Sequence, residues 1–347
     1  MLILCAIVAC VSLVCAVPAE PTNASDGSVN NPLCFTALDD AEIDYMIRGS
    51  LADIHIQISA DGSEWEDWEE YSPFKLNEGE VRYVRNTENK LSVSESDYFS
   101  FDVRNVAVSG DVSSMINYAP LSDYCYYELF CCCDGPLDLS KLELPATVLA
   151  PHCYERMFYD NHIDLVPNLP ADKLVDSCYR EMFGECNMIM ELKCYATDIS
   201  AKDSTKDWLR GTGVHEFYTP DSYIWGYGDS GIPDHCHVWP SYKVTLNPGP
   251  GGTVTPAYLV TELGTLMSEL PIPMKEGLVF DCWVTEDDEK VDQSYVFNRN
   301  TEIYAAWNGA GPTPPPDEKD TMPAAIAISA VIVIALLGGA VYIIRKK

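Results

Sequence analysis

The chain has 347 residues, of which 47% are hydrophobic, and it carries a formal net charge of -31 at pH 7. A chain of this length and composition can form two or three globular domains with hydrophobic cores, which excludes a wholly disordered protein. Because acidic side chains repel phosphate, the charge also argues against nucleic acid as a partner.

The first 19 residues have the features of a secretory signal peptide. The stretch MLILCAIVACVSLVCAVPAE is apolar and contains small residues that suit cleavage after Ala19. The usual basic segment is missing, because the first Lys or Arg of the chain is Arg48. We predict a signal peptide over 1–19.

Residues 33–104 are predicted to form a small β domain. The segments IQISADGSEWEDWEEY and SDYFSF alternate apolar and polar residues, and Asp61-Gly62 within the first segment is a turn signal. The acidic run DGSEWEDWEEY (61–71) offers carboxylates for Ca²⁺, but it lacks the spacing of a dedicated calcium loop. A solvated strand explains the run as well, so no metal site is predicted there.

A repeat marks the next part of the chain. LPATVLAPHCYERMF begins at Leu144, and LPADKLVDSCYREMF begins 25 residues later, at Leu169. Repeats of this length build solenoids, in which each coil buries its apolar positions against the neighbouring coils. The repeated Cys, Tyr, Met and Phe are therefore predicted to be core residues. Short strands are predicted near 163–166 and 188–191.

The repeat resembles the LPATTLA-x-x-CY-x-x-MF repeats of the BspA-type leucine-rich-repeat surface proteins of bacteria and archaea. The resemblance continues through LKCYATDIS (192–200) and WLRGTG (208–213) to GIPDHCHV (231–238), which are similar to the closing cap of that family. The predicted β domain is also similar to the one that precedes such repeats. The resemblance implies a leucine-rich-repeat-like solenoid with a cap over 105–240.

Residues 241–308 resemble a different module, the internalin B-type repeat of Listeria and Bacteroides. Its signature combines a Gly-Gly-x-Val strand, a Pro-rich turn, a G-x-x-F-x-G-W run and a closing Tyr-Ala-x-Trp. The residues that match it are Gly251, Gly252, Gly277, Phe280, Trp283, Tyr304 and Trp307. Cys282 departs from the signature, because it takes the usual glycine position. The resemblance implies a β-grasp-like module that acts as a spacer or an adhesive unit.

The C-terminal end has the features of a membrane anchor. Residues 309–321 are rich in Pro and Gly and are predicted to form a stalk. Ala324 to Ile344 is an uncharged apolar run of 21 residues, which is long enough to span a bilayer, so a transmembrane helix is predicted over 322–344. The basic residues of 345–347 predict a cytoplasmic tail. The predicted localisation is therefore the cell membrane, with a single pass and an extracellular ectodomain.

One group of residues could suggest a thiol nucleophile. His152, Cys153 and Glu155 lie together in the repeat, as a thiol and its base would. The next coil carries Ser177 and Arg180 where the first has His152 and Glu155. A catalytic site would not copy its thiol and discard its base. No catalytic residue and no cofactor are therefore predicted.

Two further groups could bind a metal ion. The run Cys131-Cys132-Cys133 offers thiolates, although consecutive side chains point in different directions and zinc ligands are usually spaced by two to four residues. His235 and His237 would share one face of a strand. A metal or disulfide role for Cys131 and Cys132, and a metal role for the histidines, stay open beside structural roles, and no metal ligand is assigned.

The fold class predicted is mixed and mainly β. It combines an N-terminal small β domain, a leucine-rich-repeat-like solenoid, a β-grasp-like module and a single C-terminal transmembrane helix. The predicted function is that of a membrane-anchored cell-surface protein with a non-catalytic role in ligand binding or adhesion. The alternatives are a structural spacer or envelope component and, third, an extracellular hydrolase.

The ligand is expected on the exposed strand face of the solenoid. Alternation would place the binding side chains beside a buried Leu165 and a buried Met190. The predicted ligand-binding residues are Asp164, Val166, Ile189 and Glu191. The expected partner is a protein or glycan of a host, of a neighbouring cell or of a matrix, and the membrane would be reached through Ala324 to Ile344.

Overall fold

The computed structural model describes residues 31–308, except 134 and 229. Within that range the chain forms eighteen strands and no α-helix, with short 3-10 turns at Val112–Ile116 and Ser222–Ile224. The strands are β1 (Leu33–Arg48), β2 (Ile56–Ser59), β3 (Glu66–Asp67), β4 (Phe74–Leu76), β5 (Val81–Asn86), β6 (Tyr98–Asp111), β7 (Leu137–Glu143), β8 (Glu191–Lys193), β9 (Glu216–Thr219), β10 (His237–Pro240), β11 (Lys243–Asn247), β12 (Gly252–Thr253), β13 (Tyr258–Glu262), β14 (Thr265–Leu266), β15 (Met274–Lys275), β16 (Val279–Val284), β17 (Lys290–Val291) and β18 (Thr301–Asn308).

The N-terminal sheet does not end where the predicted β domain ends. Its strands lie in the order β3-β2-β5-β1-β6-β7, with β4 paired to the other end of β1. Strand β6 runs past residue 104 to Asp111, and it pairs in parallel with β7, which belongs to the repeat region. The buried side chains of both regions form one hydrophobic cluster that extends from Leu33 to Cys236. The sheet and the repeats therefore share a core.

The repeats form four arcs of consecutive turns that lie side by side, at 123–132, 151–160, 176–185 and 202–211. In each arc every fourth residue has a positive φ, as His152, Arg156 and Asp160 do in the second arc. Every second backbone N–H of an arc donates a hydrogen bond to the carbonyl three residues earlier in the chain. This backbone is unusual for residues other than glycine, so tertiary contacts must stabilise it.

Hydrogen bonds between neighbouring arcs supply that stabilisation. The N–H of Tyr154 donates to the carbonyl of Cys178 at 3.1 Å, and the N–H of Phe158 donates to the carbonyl of Met182 at 3.0 Å. The intervening N–H of Met157 donates within its own arc, to the carbonyl of Tyr154 at 3.2 Å. Because alternate N–H groups bond within and between arcs, the buried backbone is satisfied without a helix or a long strand.

The repeated side chains fill the space enclosed by the arcs. Cys153, Tyr154, Met157 and Phe158 are fully or almost fully buried, which confirms the prediction that the repeated residues are core residues. Their aromatic rings continue from arc to arc, since Phe158 stacks on the ring of the preceding arc at 5.9 Å and on that of the following arc at 5.5 Å. Packing between arcs explains why these positions recur.

The predicted leucine-rich-repeat-like solenoid over 105–240 is not what the structure shows. The strand predicted near 163–166 is absent, and the one predicted near 188–191 is replaced by β8, which begins at Glu191. Strands β8, β9 and β10 form a parallel sheet of only three strands. Pro167 and Pro170 supply a physical reason, because proline has no N–H to donate to a continuous ladder. The predicted fold class is wrong in this respect.

The membrane-related predictions are also corrected. Across the residues that the structure describes, no helix is long and apolar enough to cross a membrane. The predicted fold class with a transmembrane helix, and the localisation as a single-pass cell-membrane protein, are therefore not supported. The predicted signal peptide (1–19), stalk (309–321), transmembrane helix (322–344) and tail (345–347) lie outside the described residues.

The C-terminal module has its own sheet and core. Its six strands lie in the order β14-β13-β11-β18-β16-β17, and β12 pairs with β15 beside them. Val244, Trp283 and Ile303 are the centre of its buried cluster. The module contacts the repeats through Lys243, whose Nζ donates to the carbonyl of Pro170 at 2.7 Å. This contact joins two parts of the chain that have separate cores.

Candidate ligand-binding face

The structure separates the side chains that resembled a nucleophile and its base. Cys153 is fully buried, and burial raises the pKa of its thiol well above the ordinary value. His152 lies at the surface, where its Nδ1 is 2.5 Å from Oε2 of Glu155 and its ring stacks on Tyr124 at 4.2 Å. The thiol therefore faces the core while the imidazole faces a carboxylate, and the two do not form a catalytic pair.

The charged residues of the arcs pair with one another between coils. Arg156 lies between two carboxylates, with its Nε 2.7 Å from Oε1 of Glu128 and its Nη1 2.5 Å from Oε2 of Glu181. Glu155, which is almost fully buried, lies 3.3 Å from Nη1 of Arg180 in the next arc. Each pair therefore links successive arcs.

Glu155 makes the stability of the stack dependent on pH. Burial raises the pKa of its carboxyl above 4.5, although the partners His152 and Arg180 oppose the shift. A raised folded-state pKa gives a contribution that is complete below the unfolded value and is lost as the pH rises through the folded value. We therefore expect the stability of the natural protein, measured relative to Glu155→Gln, to fall as the pH rises above 4.5.

Urea unfolding followed by tryptophan fluorescence at a series of pH values measures this difference. Glu185→Gln is the matched control, because Glu185 also pairs with an arginine of the next arc but is exposed. The assignment to Glu155 would be contradicted if the free energy of unfolding of the natural protein, minus that of Glu155→Gln, stayed constant or increased as the pH rose.

The metal candidates do not come together as a site. Cys131 and Cys132 have their sulfur atoms 2.7 Å apart, and His237 is exposed on β10 with its Nδ1 3.6 Å from a carboxylate oxygen of Glu216. Among the described residues, no group of three His, Cys, Asp or Glu side chains is arranged to hold a metal ion.

The structure also places the predicted ligand-binding residues. Asp164 and Glu191 are exposed, Val166 is half-buried, and Ile189 is fully buried. The two residues that were expected inside are exposed, Leu165 by 52% and Met190 by 51%. The predicted alternation of inward and outward side chains is therefore one residue out of step with the structure around 189–190. A shift of one residue exchanges the two faces of an extended segment.

The exposed residue Glu191 belongs to a surface that the three-stranded parallel sheet forms. The inward side chains of this sheet, such as Leu192 and Phe217, are buried. We call the outward side the strand face, and it consists of Glu191, Lys193, Glu216, Tyr218, His237 and Trp239. Register places Glu191, Glu216 and His237 in one row, and Lys193, Tyr218 and Trp239 in the other.

Contacts within the strand face hold its side chains in position. The Nζ of Lys193 lies 5.2 Å from the ring centre of Tyr218 and 3.0 Å from Oε1 of Glu191. The indole N–H of Trp239 donates to Glu216, and this indole is still 39% exposed. Aromatic side chains that are fixed and open to solvent lose little conformational freedom on binding a ligand. The side chains of the strand face are therefore held in place by contacts with one another.

Sequence reasoning predicted only Glu191 of this face as a ligand-binding residue, and it considered His237 only as a possible metal ligand. The equivalence of Glu191 and Glu216 follows the 25-residue period, but His237 comes only 21 residues later, so the last strand is out of phase. The sequence contains a weak indication of strand β9, because Glu216-Phe217-Tyr218-Thr219 alternates outward and inward side chains as a short strand does.

A cavity of about 510 Å³ lies between β7, the segment 166–168 and the C-terminal module. Val166 and Asn168 line it, together with Glu143 and Tyr258. Burial raises the pKa of Tyr258 to about 12, and burial followed by the charge of Asp111 raises the pKa of Glu143. Val166 thus lines this cavity, and the parallel bridge of Leu169 to Cys194 places its segment beside β8.

The resemblances to BspA-type surface proteins and to the internalin B-type repeat stay predictions, because this chain matches no family model, no curated protein and no solved structure.

Proposed function

We propose that this protein is a non-catalytic binding protein and that the strand face contacts its partner. The observation that carries the proposal is the row of Lys193, Tyr218 and Trp239 on a parallel sheet, in which Trp239 is exposed and Lys193 and Tyr218 are half-buried beside it. Tyrosine and tryptophan are over-represented among the residues that contribute most to binding. Side chains on strands are also placed more reproducibly than side chains on loops.

The chemistry of the strand face suits a glycan or a protein segment with a flat apolar side. Rings such as those of Tyr218 and Trp239 can pack against the C–H groups of a sugar or against an apolar side chain. The carboxylates of Glu191 and Glu216 can accept hydrogen bonds from hydroxyl or amide groups beside them. A strongly anionic polymer fits poorly, because the chain carries a net charge of -31. An adhesive role is consistent with these properties.

Binding measurements on the full-length chain test the proposal. The natural protein is first applied to a glycan array and to intact cells, to find a partner. Tyr218→Ala and Trp239→Ala are each expected to weaken that binding about tenfold or more, because each removes a ring from the centre of the contact. Tyr223→Ala is the matched control, since Tyr223 is 98% exposed and lies outside the strand face.

Binding that both variants retain would overturn the assignment of the face, whereas silence of the natural protein in every assay would favour a structural spacer. The spacer is supported by one observation, the buried contact of Lys243 with the carbonyl of Pro170, which fixes the C-terminal module against the repeats. A spacer needs such rigidity, and it needs no ligand.

A hydrolase, the third predicted function, has little support. The register of β6 and β7 sets Asp111 opposite Glu143, as a pair of catalytic carboxylates would require. The carboxylate of Asp111 is already engaged, however, because it accepts the N–H of Ser113 at 2.7 Å and caps the 3-10 turn. Its position is explained by local structure.

A further inference from the structure

Two adjacent cysteines at the end of the first arc have no role in the fold or in the strand face. Cys131 is half-buried and Cys132 is exposed, and both are present as thiols. Their sulfur atoms lie 2.7 Å apart, in direct contact but farther apart than the length of about 2.05 Å of a disulfide bond. Cys125 of this arc and Cys133, which follows the arc, are buried in the core.

The packing of the arcs does not require cysteine at these two positions. The corresponding residues of the second arc are Tyr159 and Asp160, and those of the third arc are Gly184 and Glu185. Neither of these two arcs has a thiol there. A structural requirement would favour one type of side chain at equivalent positions, as it does for the buried Cys, Tyr, Met and Phe. The fold alone therefore does not explain why both positions carry cysteine.

The backbone holds the two side chains together on the outside of the arc. Cys132 has a φ of 58°, in the left-handed region, so the usual divergence of consecutive side chains does not apply. The N–H of Cys131 donates to the carbonyl of Glu128 at 3.2 Å, and that of Cys132 donates to the carbonyl of Tyr159 at 2.9 Å. Both peptide groups are thus anchored, and the two thiols stay adjacent without a search through many conformations.

We propose that Cys131 and Cys132 form a modification site, a vicinal dithiol that small-molecule disulfides oxidise reversibly to a disulfide within the pair. The two thiols differ in accessibility, and this difference sets the order of events. Cys132 is exposed and reacts first, whereas the pKa of Cys131 is raised, mainly by burial and then by its contacts with Cys132 and Glu128.

The chemistry is a thiol–disulfide exchange in two steps. The thiolate of Cys132 attacks oxidised glutathione, which breaks the glutathione S–S bond, forms a mixed disulfide and releases one glutathione thiolate. Cys131 then gives its proton to solvent, and its sulfur attacks the sulfur of Cys132 and displaces the second glutathione thiolate. The two protein thiols lose two electrons, and the oxidised glutathione gains them to become two glutathione molecules.

The bond within the pair is expected to be readily reversible. Consecutive Cα atoms are about 3.8 Å apart across a trans peptide, whereas the Cα atoms of ordinary disulfides are about 4.4 to 6.8 Å apart. A disulfide outside the usual separation is strained, and strained disulfides are reduced more easily than structural ones. A dithiol that closes and reopens suits reversible modification better than permanent cross-linking.

Mass spectrometry of the full-length protein tests the site. The protein is treated with oxidised glutathione, quenched with acid, alkylated and digested. The peptide that contains Cys131 and Cys132 is expected to lose the mass of two hydrogen atoms, to carry no glutathione, and to regain both alkylation sites after reduction. Cys282, a partly exposed cysteine without a neighbouring thiol, is the internal control and can form only a mixed disulfide with glutathione.

Two variants separate the steps. Cys131→Ser is expected to retain a glutathione adduct on Cys132, because no second thiol displaces it. Cys132→Ser is expected to lose the reaction at this site. A stable glutathione adduct on Cys132 of the natural protein would overturn the proposal, and so would a bond from Cys132 to Cys133.

A second probe works without oxidation and on the natural protein alone. Phenylarsine oxide bridges two adjacent thiols with the loss of one water molecule, and it binds single thiols only weakly. The arsenical is expected to protect Cys131 and Cys132 together from alkylation and to leave Cys282 open. Alkylation of both thiols at the rate found without the arsenical would contradict a preformed dithiol, whether or not the variants fold.

Discussion

Replacing Phe158 by alanine is expected to lower the free energy of unfolding by about 3 to 5 kcal/mol. The side chain of Phe158 is fully buried, and its ring stacks between those of Phe130 at 5.9 Å and Phe183 at 5.5 Å. Its loss would leave a cavity between two arcs that are held at a fixed spacing by their hydrogen bonds, so the neighbours cannot close it. Urea unfolding followed by tryptophan fluorescence measures the change.

Phe158→Leu is the control for cavity size, because leucine fills much of the space, and a smaller loss is expected of it. Tyr223→Ala is the control for an exposed aromatic residue and is expected to change stability by less than about 0.5 kcal/mol. If Phe158→Ala cost less than about 1 kcal/mol, the arcs would have to move together to fill the cavity, which would contradict a rigid stack.

The same variant tests whether the N-terminal sheet and the arcs unfold together. Phe130 contacts both Phe158 and Phe101 of β6, so the aromatic stack is continuous from the sheet into the arcs. A shared core predicts one cooperative transition for both regions. The unfolding curves measured by near-ultraviolet circular dichroism and by fluorescence are then expected to coincide for the transition of the shared core.

The sequence was sufficient to identify the repeated core residues. Cys153, Tyr154, Met157 and Phe158 recur at a fixed period, and a fixed period with apolar residues has a direct structural meaning, the contact between neighbouring coils. The shape of the coil could not be predicted in the same way. Positive φ values favour glycine, yet His152 adopts one. Only the hydrogen bonds between arcs, which are tertiary contacts, explain this backbone.

The strand face was only partly predictable, for a reason of register. Glu191 and Glu216 are related by the period, but the last strand of the sheet follows after a shorter interval, and no property of the sequence sets its pairing. The contrast between the buried Ile189 and the exposed Met190 shows a second limit. Both residues are apolar, so the sequence does not distinguish the inward one, and a one-residue error reverses the face.

Replacing Asp172 by alanine is expected to lower the free energy of unfolding by about 2 kcal/mol, because it leaves a buried ammonium group without its carboxylate. The side chain of Lys243 is only 3% exposed, and its Nζ lies 2.6 Å from Oδ2 of Asp172. The effect is expected to be smaller than for a fully buried pair, since the side chain of Asp172 is 51% exposed. Thermal and urea unfolding measure the loss.

The opposite replacement separates the ion pair from the cost of the buried charge. Lys243→Met keeps a long apolar side chain and leaves Asp172 partly solvated, with the amide of Asn300 still donating to its Oδ1 at 2.7 Å, so a loss of only about 1 kcal/mol is expected. The double variant is then expected to resemble Lys243→Met and to be more stable than Asp172→Ala alone, because no buried charge remains. Equal losses in the two single variants and in the double variant would show that the attraction between the charges, and not the burial of the ammonium group, controls this contact, whereas additive losses would show that Asp172 and Lys243 do not interact.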